Sequence, residues 1–438
     1  MRIKIICPTS FDPSNQLIKL RRASLPPLSI LYLAGLTPRE HDVSVVDESV
    51  QPLDFDGPVD LVAITSTTSA TKRAYQIADE FRRRNVKVVM GGIHATMLPD
   101  EALVHVDAVV LGEAEDVWSK VLTDAQQGAL QRTYQGTRRE SLENLPFPRF
   151  DLVDHSKYLR LPFRKGPIIP VQTARGCPHL CDFCSVSNFW GMKMRFRPVD
   201  DVCAEIRYSG ADTFLFTDDN FVAHPRRTQE LAEALTPLNI RYICQMDSLA
   251  YRQPEVIRAI ARSGCFLVFV GFESLNYKNL ANVNKVFNHP PHYPDLIGVL
   301  HKHGINVYAS FILGFEHDAP DTARATADFL IDQKVSLASF FRLTPYPGTR
   351  LYDRLARDGF LLDRTWWLKR GEGLQTLVRY PENPHTGEEL SSLAMRRFFS
   401  LRSILKRFFP FPPFKIPLVG WNWYAYRKVK RFNKVTIL

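Results

Sequence analysis

The chain has 438 residues and a net charge of +10, with 45% hydrophobic and 23% charged residues. This length exceeds one ordinary hydrophobic core, so two or three domains are expected. The composition is that of a globular protein and excludes a disordered or fibrous chain. No run of about 18 uncharged apolar residues occurs, which argues against a membrane-spanning helix. The positive charge fits nucleic acid, anionic cofactors or lipid headgroups equally well.

The first part of the chain, 1–127, alternates predicted strands and helices. Apolar runs at 1–7, 43–47, 60–65, 86–92 and 106–112 predict five strands, and amphipathic segments near 28–35, 71–84 and 114–127 predict helices. This order predicts an α/β fold with a doubly wound parallel sheet. Such sheets bind ligands at the carboxyl ends of their strands.

The turns that follow these predicted strands are small, hydroxyl-bearing or glycine-rich. Glycines let a flat ligand approach the backbone, and the helix starts that follow favour phosphate. Tight turns without a ligand are the alternative. The candidate ligand-binding residues of these turns are Ser66, Gly91, Gly92, His94, Gly112 and Glu113.

Residues 128–165 are rich in proline and mixed charge, which predicts a linker between domains. The strand and helix alternation resumes afterwards, over 166–350. Six apolar runs, at 168–171, 213–217, 241–245, 266–271, 306–314 and 339–344, predict a partial (β/α)6 barrel, with site residues at the strand ends.

Three of the seven cysteines lie within eight residues, directly after the first barrel strand: Cys177, Cys181 and Cys184. Iron–sulfur clusters normally take four thiolates, so a C-x3-C-x2-C run without an obvious fourth partner suggests a cluster with one iron open to another ligand. A zinc site, a disulfide and buried core cysteines are the alternatives. No secretion signal is recognisable, so a reducing cytoplasm is expected.

This motif, with Phe183 before the last cysteine, resembles the signature of the radical S-adenosylmethionine (SAM) superfamily. The resemblance implies a four-iron, four-sulfur cluster on Cys177, Cys181 and Cys184. It further implies that SAM chelates the open iron and that one-electron reduction cleaves SAM to methionine and a 5'-deoxyadenosyl radical.

The same resemblance implies SAM contacts at the ends of the barrel strands. Thr217 and Asp218 are candidates for the SAM amine, with helix capping as the alternative. Glu273 is a candidate for the ribose hydroxyls, while Ile312 and Gly314 would flank adenine. Gln245 closes the third barrel strand and is expected to face the same cavity.

The turns of the first domain resemble the cobalamin-binding, Rossmann-like domain that precedes the barrel in one branch of this superfamily. The chain departs from the methionine-synthase type because it has no D-x-H-x-x-G motif. Cobalamin is therefore expected base-off, without a lower axial histidine from that motif.

The last segment, 351–438, is predicted to be a small extension that shapes the substrate pocket. It contains Phe408 to Phe414, Trp421 to Tyr424 and a basic tail from Arg427 to Lys434. Aromatic residues interleaved with Lys and Arg suit an anionic membrane surface or an apolar substrate entrance. A packed terminal arm with a solvated basic end is the alternative.

Together these resemblances imply a cobalamin-dependent radical SAM enzyme. A C-methyltransferase acting on a small-molecule, lipid-like or tetrapyrrole substrate is the leading hypothesis, with a flavodoxin- or ferredoxin-type electron donor. A cyclase or rearrangement enzyme with the same cofactors is the first alternative. An RNA-modifying enzyme is the second, but no RNA-binding module follows the barrel, so nucleic acid is not expected as a partner.

Overall fold

The computed structural model describes residues 1–369, 377–383, 385–409 and 416–432. These residues form two parallel sheets of six strands each, one after the other, and a two-stranded ribbon. Helices follow the strands in both halves, as the sequence pattern predicted. Parts of the aromatic segment 408–414 and of the basic tail 427–434 lie outside the described residues.

The first sheet confirms the predicted doubly wound domain. Its neighbouring strands are all parallel, in the order β2-β1-β3-β4-β5-β6. The strands are β1 Arg2–Cys7, β2 Asp42–Asp47, β3 Leu61–Thr65, β4 Lys87–Gly91, β5 Ala108–Leu111 and β6 Thr133–Gln135. The sixth strand lies in the segment predicted as a linker. It pairs because Tyr134 is buried and its hydroxyl donates to Asp124, 2.8 Å away.

Five helices follow the strands of the first sheet. They are α1 Leu28–Leu36, α2 Thr71–Arg83, α3 Ile93–Met97, α4 Pro99–His105 and α5 Trp118–Gln126. Helix α2 buries one stripe that includes Ala74, Ile77 and Phe81, while Arg82 and Arg83 in its last turn are exposed. Apolar strand residues such as Ile5 and Val62 are buried as well. The turns at the carboxyl edge of the sheet therefore become the candidate ligand site.

The second half confirms six parallel barrel strands, in the order β14-β13-β12-β11-β10-β7. Leu215, Ile243, Leu267 and Tyr308, from four successive strands, line one shared cavity, so the sheet curves around its inner face. The strands, with the ribbon β8 and β9, are β7 Ile169–Val171, β8 Ala174–Arg175, β9 Arg195–Phe196, β10 Thr213–Phe216, β11 Arg241–Met246, β12 Cys265–Glu273, β13 Asn306–Leu313 and β14 Leu337–Arg342.

The barrel helices are α6 Val186–Phe189, α7 Val199–Ser209, α8 Pro225–Leu235, α9 Pro254–Arg262, α10 Tyr277–Asn282, α11 Tyr293–Lys302 and α12 Thr322–Asp332. The C-terminal helices are α13 Arg350–Arg357, α14 Gly387–Phe398, α15 Leu401–Phe408 and α16 Ile416–Phe432. Helices α14 and α15 are two separate helices rather than one, because Ser400 caps the start of α15 and accepts a hydrogen bond from the Ser403 N–H.

The C-terminal helices are fixed to the barrel by a buried arginine. Arg407 is 2% exposed and donates to the carbonyl oxygens of Val335, Ser336 and Phe398 and to Asn422 Oδ1. Burial lowers the pKa of this guanidinium to about 9. Among the described residues, no helix has the length and apolar character needed to cross a membrane.

Candidate active site

The cysteine loop, Cys177–Cys184, lies between the two strands of the ribbon. The Cys177 N–H donates to the Gly191 carbonyl at 3.3 Å, and the Cys184 N–H donates to the Cys181 carbonyl at 3.1 Å. Burial raises the pKa of Cys177 to about 11 and that of Cys181 to about 12. The charge of Cys184 also raises the pKa of Cys177 and of Cys181, and the charge of Cys177 raises that of Cys181, so the three side chains lie close together.

These three thiols fit an iron–sulfur cluster. All seven cysteines are free, so no disulfide competes for them. In the part of the chain that the structure describes, no three His, Cys, Asp or Glu side chains surround a single metal ion. In a four-iron cluster each thiolate binds its own iron. Metal binding needs thiolates, so loading the cluster displaces the thiol protons.

Asp218, a candidate for the SAM amine, instead holds the chain before the cysteine loop. It is 1% exposed and accepts hydrogen bonds from the N–H groups of Thr173 and Ala174, at 2.6 and 3.0 Å, and from the Thr173 hydroxyl. Burial raises its pKa to about 6. Thr217 is partly buried, and its N–H donates to the Val171 carbonyl at 2.9 Å. Their SAM contacts stay predictions.

The neighbouring Asp219 is the carboxylate left available at the end of β10. Within the described residues no other side chain donates a hydrogen bond to it. Burial, followed by the charge of Asp218, raises its pKa to about 7. It lies near enough to Cys177 and Cys184 to raise the pKa of both thiols. Apart from a hydrogen bond from its own backbone N–H, the Asp219 carboxylate is therefore available as an acceptor beside the cysteine loop.

Asp219 could have been found from the sequence. Successive residues of a strand point to opposite faces. Leu215 of β10 lines the barrel cavity. Strand β10 ends at Phe216, and extending its alternation by three residues predicts Thr217 and Asp219 on that inner face and Asp218 on the other.

Glu273, the predicted ribose ligand, sits on a distortion of β12. Its φ is +66°, unusual for a residue other than glycine, and the pairing register with β13 shifts between Gly271 and Glu273. Its carboxylate pairs with Lys285 Nζ at 2.7 Å and accepts from the Ser310 hydroxyl at 3.4 Å. Burial opposes the charge of Lys285, but Glu273 and the thiol of Cys181 raise the lysine pKa above its ordinary value.

The other predicted SAM residues lie at the ends of neighbouring strands. Gln245 Nε2 is 3.5 Å from the Asp218 carbonyl, and Ile312 is partly buried. Gly314 has a φ of +94°, and a Cβ there would lie 2.7 Å from Gly387 Cα. The structure explains this glycine by the close approach of α14. Contacts of Gln245, Ile312 and Gly314 with SAM stay predictions.

Most of the predicted cobalamin residues meet at the carboxyl edge of the first sheet. The Ser66 N–H donates to the Gly91 carbonyl at 3.0 Å, and the Gly112 N–H donates to Thr96 Oγ1 at 3.0 Å. A Cβ on Gly92 would lie 2.9 Å from the backbone of Ser66. Ser66 follows β3, next to the point where the strand order reverses, and ligands of such sheets bind there. This edge fits a large planar cofactor.

His94 is buried within a polar cluster. Its Nδ1 is 3.3 Å from Thr68 Oγ1 and its Nε2 is 3.1 Å from Glu101 Oε1. Glu101 also accepts from the hydroxyl of Tyr75 at 2.8 Å and from the indole of Trp367 at 3.0 Å. Both ring nitrogens are engaged by the protein. The predicted contact of His94 with cobalamin stays a prediction.

Glu113 joins the first sheet to the cysteine loop. Its Oε2 lies 2.6 Å from Arg175 Nη1, and its Oε1 lies 2.6 Å from Arg195 Nη1. Arg175 also pairs with Glu115 at 2.5 Å, and all four side chains are at most 4% exposed. Arg175 and Arg195 are paired across the two strands of the ribbon. Arg175 precedes Cys177 by two residues. The turn predicted to bind cobalamin thus docks on the ribbon that carries the cysteine loop.

Comparison with known proteins decides the family. Residues 171–330 match the Radical SAM superfamily, and residues 18–122 match the B12 binding domain. The bacteriochlorophyllide d C-12(1)-methyltransferase of Chlorobaculum tepidum is 33% identical over 338 residues, which cover 75% of this chain and 73% of that protein. The chain belongs to the radical SAM superfamily. It lies in the branch that carries a B12-binding domain.

Two further likenesses extend over most of this radical SAM protein. The bacteriochlorophyllide d C-8(2)-methyltransferase of the same organism is 29% identical over 353 residues, 77% of this chain and 78% of that one. The structure of TsrM, a radical SAM methyltransferase from Kitasatospora setae with cobalamin and a [4Fe-4S] cluster bound, aligns with a TM-score of 0.63. It is 15% identical and covers 95% of this chain and 90% of that one, which shows a shared fold.

The three predicted cofactors are confirmed by this membership. The radical SAM domain brings the four-iron, four-sulfur cluster and SAM, and the B12-binding domain brings cobalamin. The protein is an enzyme of the methyltransferase-containing branch, as predicted.

Proposed function

We propose that the protein methylates an unactivated carbon of a lipid-like or tetrapyrrole molecule. The carrying observation is the docking of Glu113 and Glu115 on Arg175 and Arg195. It fixes the carboxyl edge of the cobalamin domain against the ribbon that holds the cysteine loop. A methyl donor and a radical source used in one reaction must be held in a fixed relation, and this contact supports that arrangement.

When bound, the cluster with SAM supplies a carbon-centred radical and cobalamin supplies a methyl group. The chain's own groups hold and orient these partners. In this proposal the Asp219 carboxylate accepts hydrogen bonds from the SAM ammonium, because it is partly buried and no side chain among the described residues donates to it. Asp218 keeps the strand before Cys177 in place through Thr173 and Ala174.

The substrate class rests on two kinds of support. Both Chlorobaculum relatives are by name methyltransferases of bacteriochlorophyllide, a tetrapyrrole. In addition, the inner face of the barrel is lined mainly by aliphatic and aromatic side chains, such as Leu215, Ile243 and Phe269. An apolar substrate carbon offers no nucleophile, so a radical step suits it.

The test is an anaerobic reaction of the cofactor-loaded enzyme with a reductant, bacteriochlorophyllide d and SAM labelled in its methyl group. Methyl transfer predicts labelled product together with S-adenosylhomocysteine and 5'-deoxyadenosine. Formation of 5'-deoxyadenosine and a changed, unlabelled product without S-adenosylhomocysteine would instead indicate the cyclase or rearrangement alternative.

We also propose that the C-terminal helices contact an anionic membrane surface. Helix α15 exposes Leu401 and Leu405, one turn apart, at 43% and 55%. Helix α16 exposes Trp423 and Tyr424 beside the basic residues Arg427, Lys428 and Lys430. Apolar and aromatic groups beside lysine and arginine suit the headgroup region.

Liposome flotation tests this contact. Leu405→Glu together with Trp423→Glu should reduce binding to vesicles that contain phosphatidylserine. Leu393→Glu is the control, because Leu393 is a similarly exposed leucine on α14. Equal binding of all three proteins would discard the membrane surface. The electron is proposed to come from a flavodoxin- or ferredoxin-type protein, and the net charge of +10 would favour a negatively charged donor.

A further inference from the structure

An apolar cavity of about 210 Å³ lies inside the barrel. Barrel strands provide most of its wall, including Leu215, Ile243, Leu267 and Phe269. The remaining wall comes from outside the barrel. Leu25 and Leu159 come from chain segments that precede the barrel in the sequence, and Trp421 comes from α16, which follows it.

The position of the cavity relates it to both cofactor regions. It extends from the first residue of β14, Leu337, up to Gln245 near the end of β11. Gln245 Nε2 lies 3.5 Å from the carbonyl of Asp218, beside the candidate SAM residues. Leu25 belongs to the loop between β1 and α1, and β1 ends at the carboxyl edge of the cobalamin domain. A group in this cavity would therefore lie against walls supplied by both domains.

The chemistry of the lining selects an apolar occupant. The Tyr308 hydroxyl bonds to Ser339 Oγ at 2.6 Å, and Gln245 stands at one end of the cavity. Ser24 is the other polar side chain of the lining, and the rest of the wall is mainly aliphatic and aromatic. Water needs two to four polar partners to be stable in a cavity, so most of this cavity is unfavourable for water. The volume equals that of roughly seven water molecules, smaller than an ordinary drug-sized pocket, so it takes a part of a substrate.

We infer that this cavity binds a saturated hydrocarbon segment of the substrate, with Trp421 forming its end wall. The inference rests on the proposed function for the identity of the ligand as a substrate. It makes the C-terminal extension part of the binding site, because α16 supplies that wall. The segment bound here would anchor the substrate while its reacting carbon lies nearer to Gln245.

The test measures binding of n-alkanols, from butanol to dodecanol, to the cofactor-loaded protein by calorimetry without SAM. Each added methylene should lower the Kd about fourfold until the chain fills the cavity, after which the Kd should stay constant. Trp421→Ala should move that limit to longer chains, and Leu267→Phe should move it to shorter ones. Leu393→Ala is the control, because Leu393 is an exposed leucine of α14 that does not line the cavity, and it should leave the limit unchanged.

Absence of saturable binding, or a chain-length limit that neither Trp421→Ala nor Leu267→Phe moves, would overturn the inference. Two variants are used so that misfolding of one leaves the other decisive. The measurement involves no turnover, so its outcome is separate from that of the methyl transfer assay. Alkanol binding without methyl transfer would support the hydrocarbon site and contradict the proposed reaction. Methyl transfer without alkanol binding would support the reaction and contradict the hydrocarbon site.

Discussion

Glu113 and Arg175 form an ion pair of 2.6 Å between the two halves of the molecule, with 0% and 4% of their side chains exposed. Burial opposes the charge of Arg175, but Glu115 and Glu113 raise the pKa of its guanidinium above the ordinary value. The pair lies beside the cysteine loop, since Arg175 precedes Cys177 by two residues. The Glu113–Arg175 ion pair therefore links the position of the cobalamin domain to the position of the cysteine loop.

Glu113→Gln should uncouple the two halves. The substitution keeps the shape of the side chain but leaves two buried guanidinium groups without this counter-charge, a loss of about 3–5 kcal/mol of stability. Glu205→Gln is the matched control, because Glu205 pairs with Arg197 at 2.7 Å, equally buried but within the barrel half. Both variants should lower stability, but only Glu113→Gln should reduce the cobalamin retained per chain after gel filtration. Equal retention in both would contradict the coupling.

Local patterns predicted more of this molecule than long-range contacts did. The two parallel sheets follow from apolar runs such as Leu61 to Ile64, because burial on both faces leaves a signal in neighbouring residues. The cysteine loop was also predictable from the sequence, because its three cysteines lie within eight residues of one another. The partners of Glu113 were not predictable, because Arg175 lies 62 residues away and nothing in either segment specifies the other. Likewise, Asp218 seemed available until Thr173, 45 residues earlier, was found to donate to it.

Replacing Cys177, Cys181 and Cys184 together by alanine should remove the cluster and spare cobalamin. The three thiols supply every protein ligand of the cluster in this assignment. The cobalamin edge is built from the separate turns that contain Ser66 and Gly92. Iron, sulfide and cobalamin should be measured per chain after anaerobic purification. Loss of cobalamin along with the cluster would argue that the two sites form one unit, and retained iron would require other ligands.

Gly92→Ala should destabilise the cobalamin domain far more than Gly128→Ala. Gly92 has φ +93° and ψ −178°, a region that essentially only glycine occupies, and a Cβ there would lie 2.9 Å from Ser66 backbone atoms. Gly128 also has a positive φ, +69°, but a Cβ there would meet nothing within 4 Å. We expect Gly92→Ala to cost about 1–3 kcal/mol more in urea unfolding. A similar loss of stability in the two variants would show that the backbone at Ser66 moves easily to make room for the added Cβ.

Asp318 should make the stability of the barrel depend on pH. Its carboxylate accepts from the N–H groups of Gly314 and Phe315, at 2.8 and 3.1 Å, and from Asn279 at 2.8 Å. Burial outweighs these hydrogen bonds and raises its pKa to about 6. A raised carboxyl pKa means that the folded state holds its proton more tightly than the unfolded state. The stabilisation from the protonated form is thus complete below about pH 4 and is lost as the pH rises through 6.

Urea unfolding of the wild type and Asp318→Asn at pH 5 and pH 7.5 checks this sign. The stability of the wild type relative to Asp318→Asn should fall between these values, by about 1.4 kcal/mol. The exposed Asp154 is a control of opposite sign, because hydrogen bonds from Ser156 lower its pKa. The stability of the wild type relative to Asp154→Asn should not fall between pH 5 and pH 7.5. A wild type that gains stability over Asp318→Asn at pH 7.5 would mean that the three hydrogen bonds, rather than burial, dominate at Asp318.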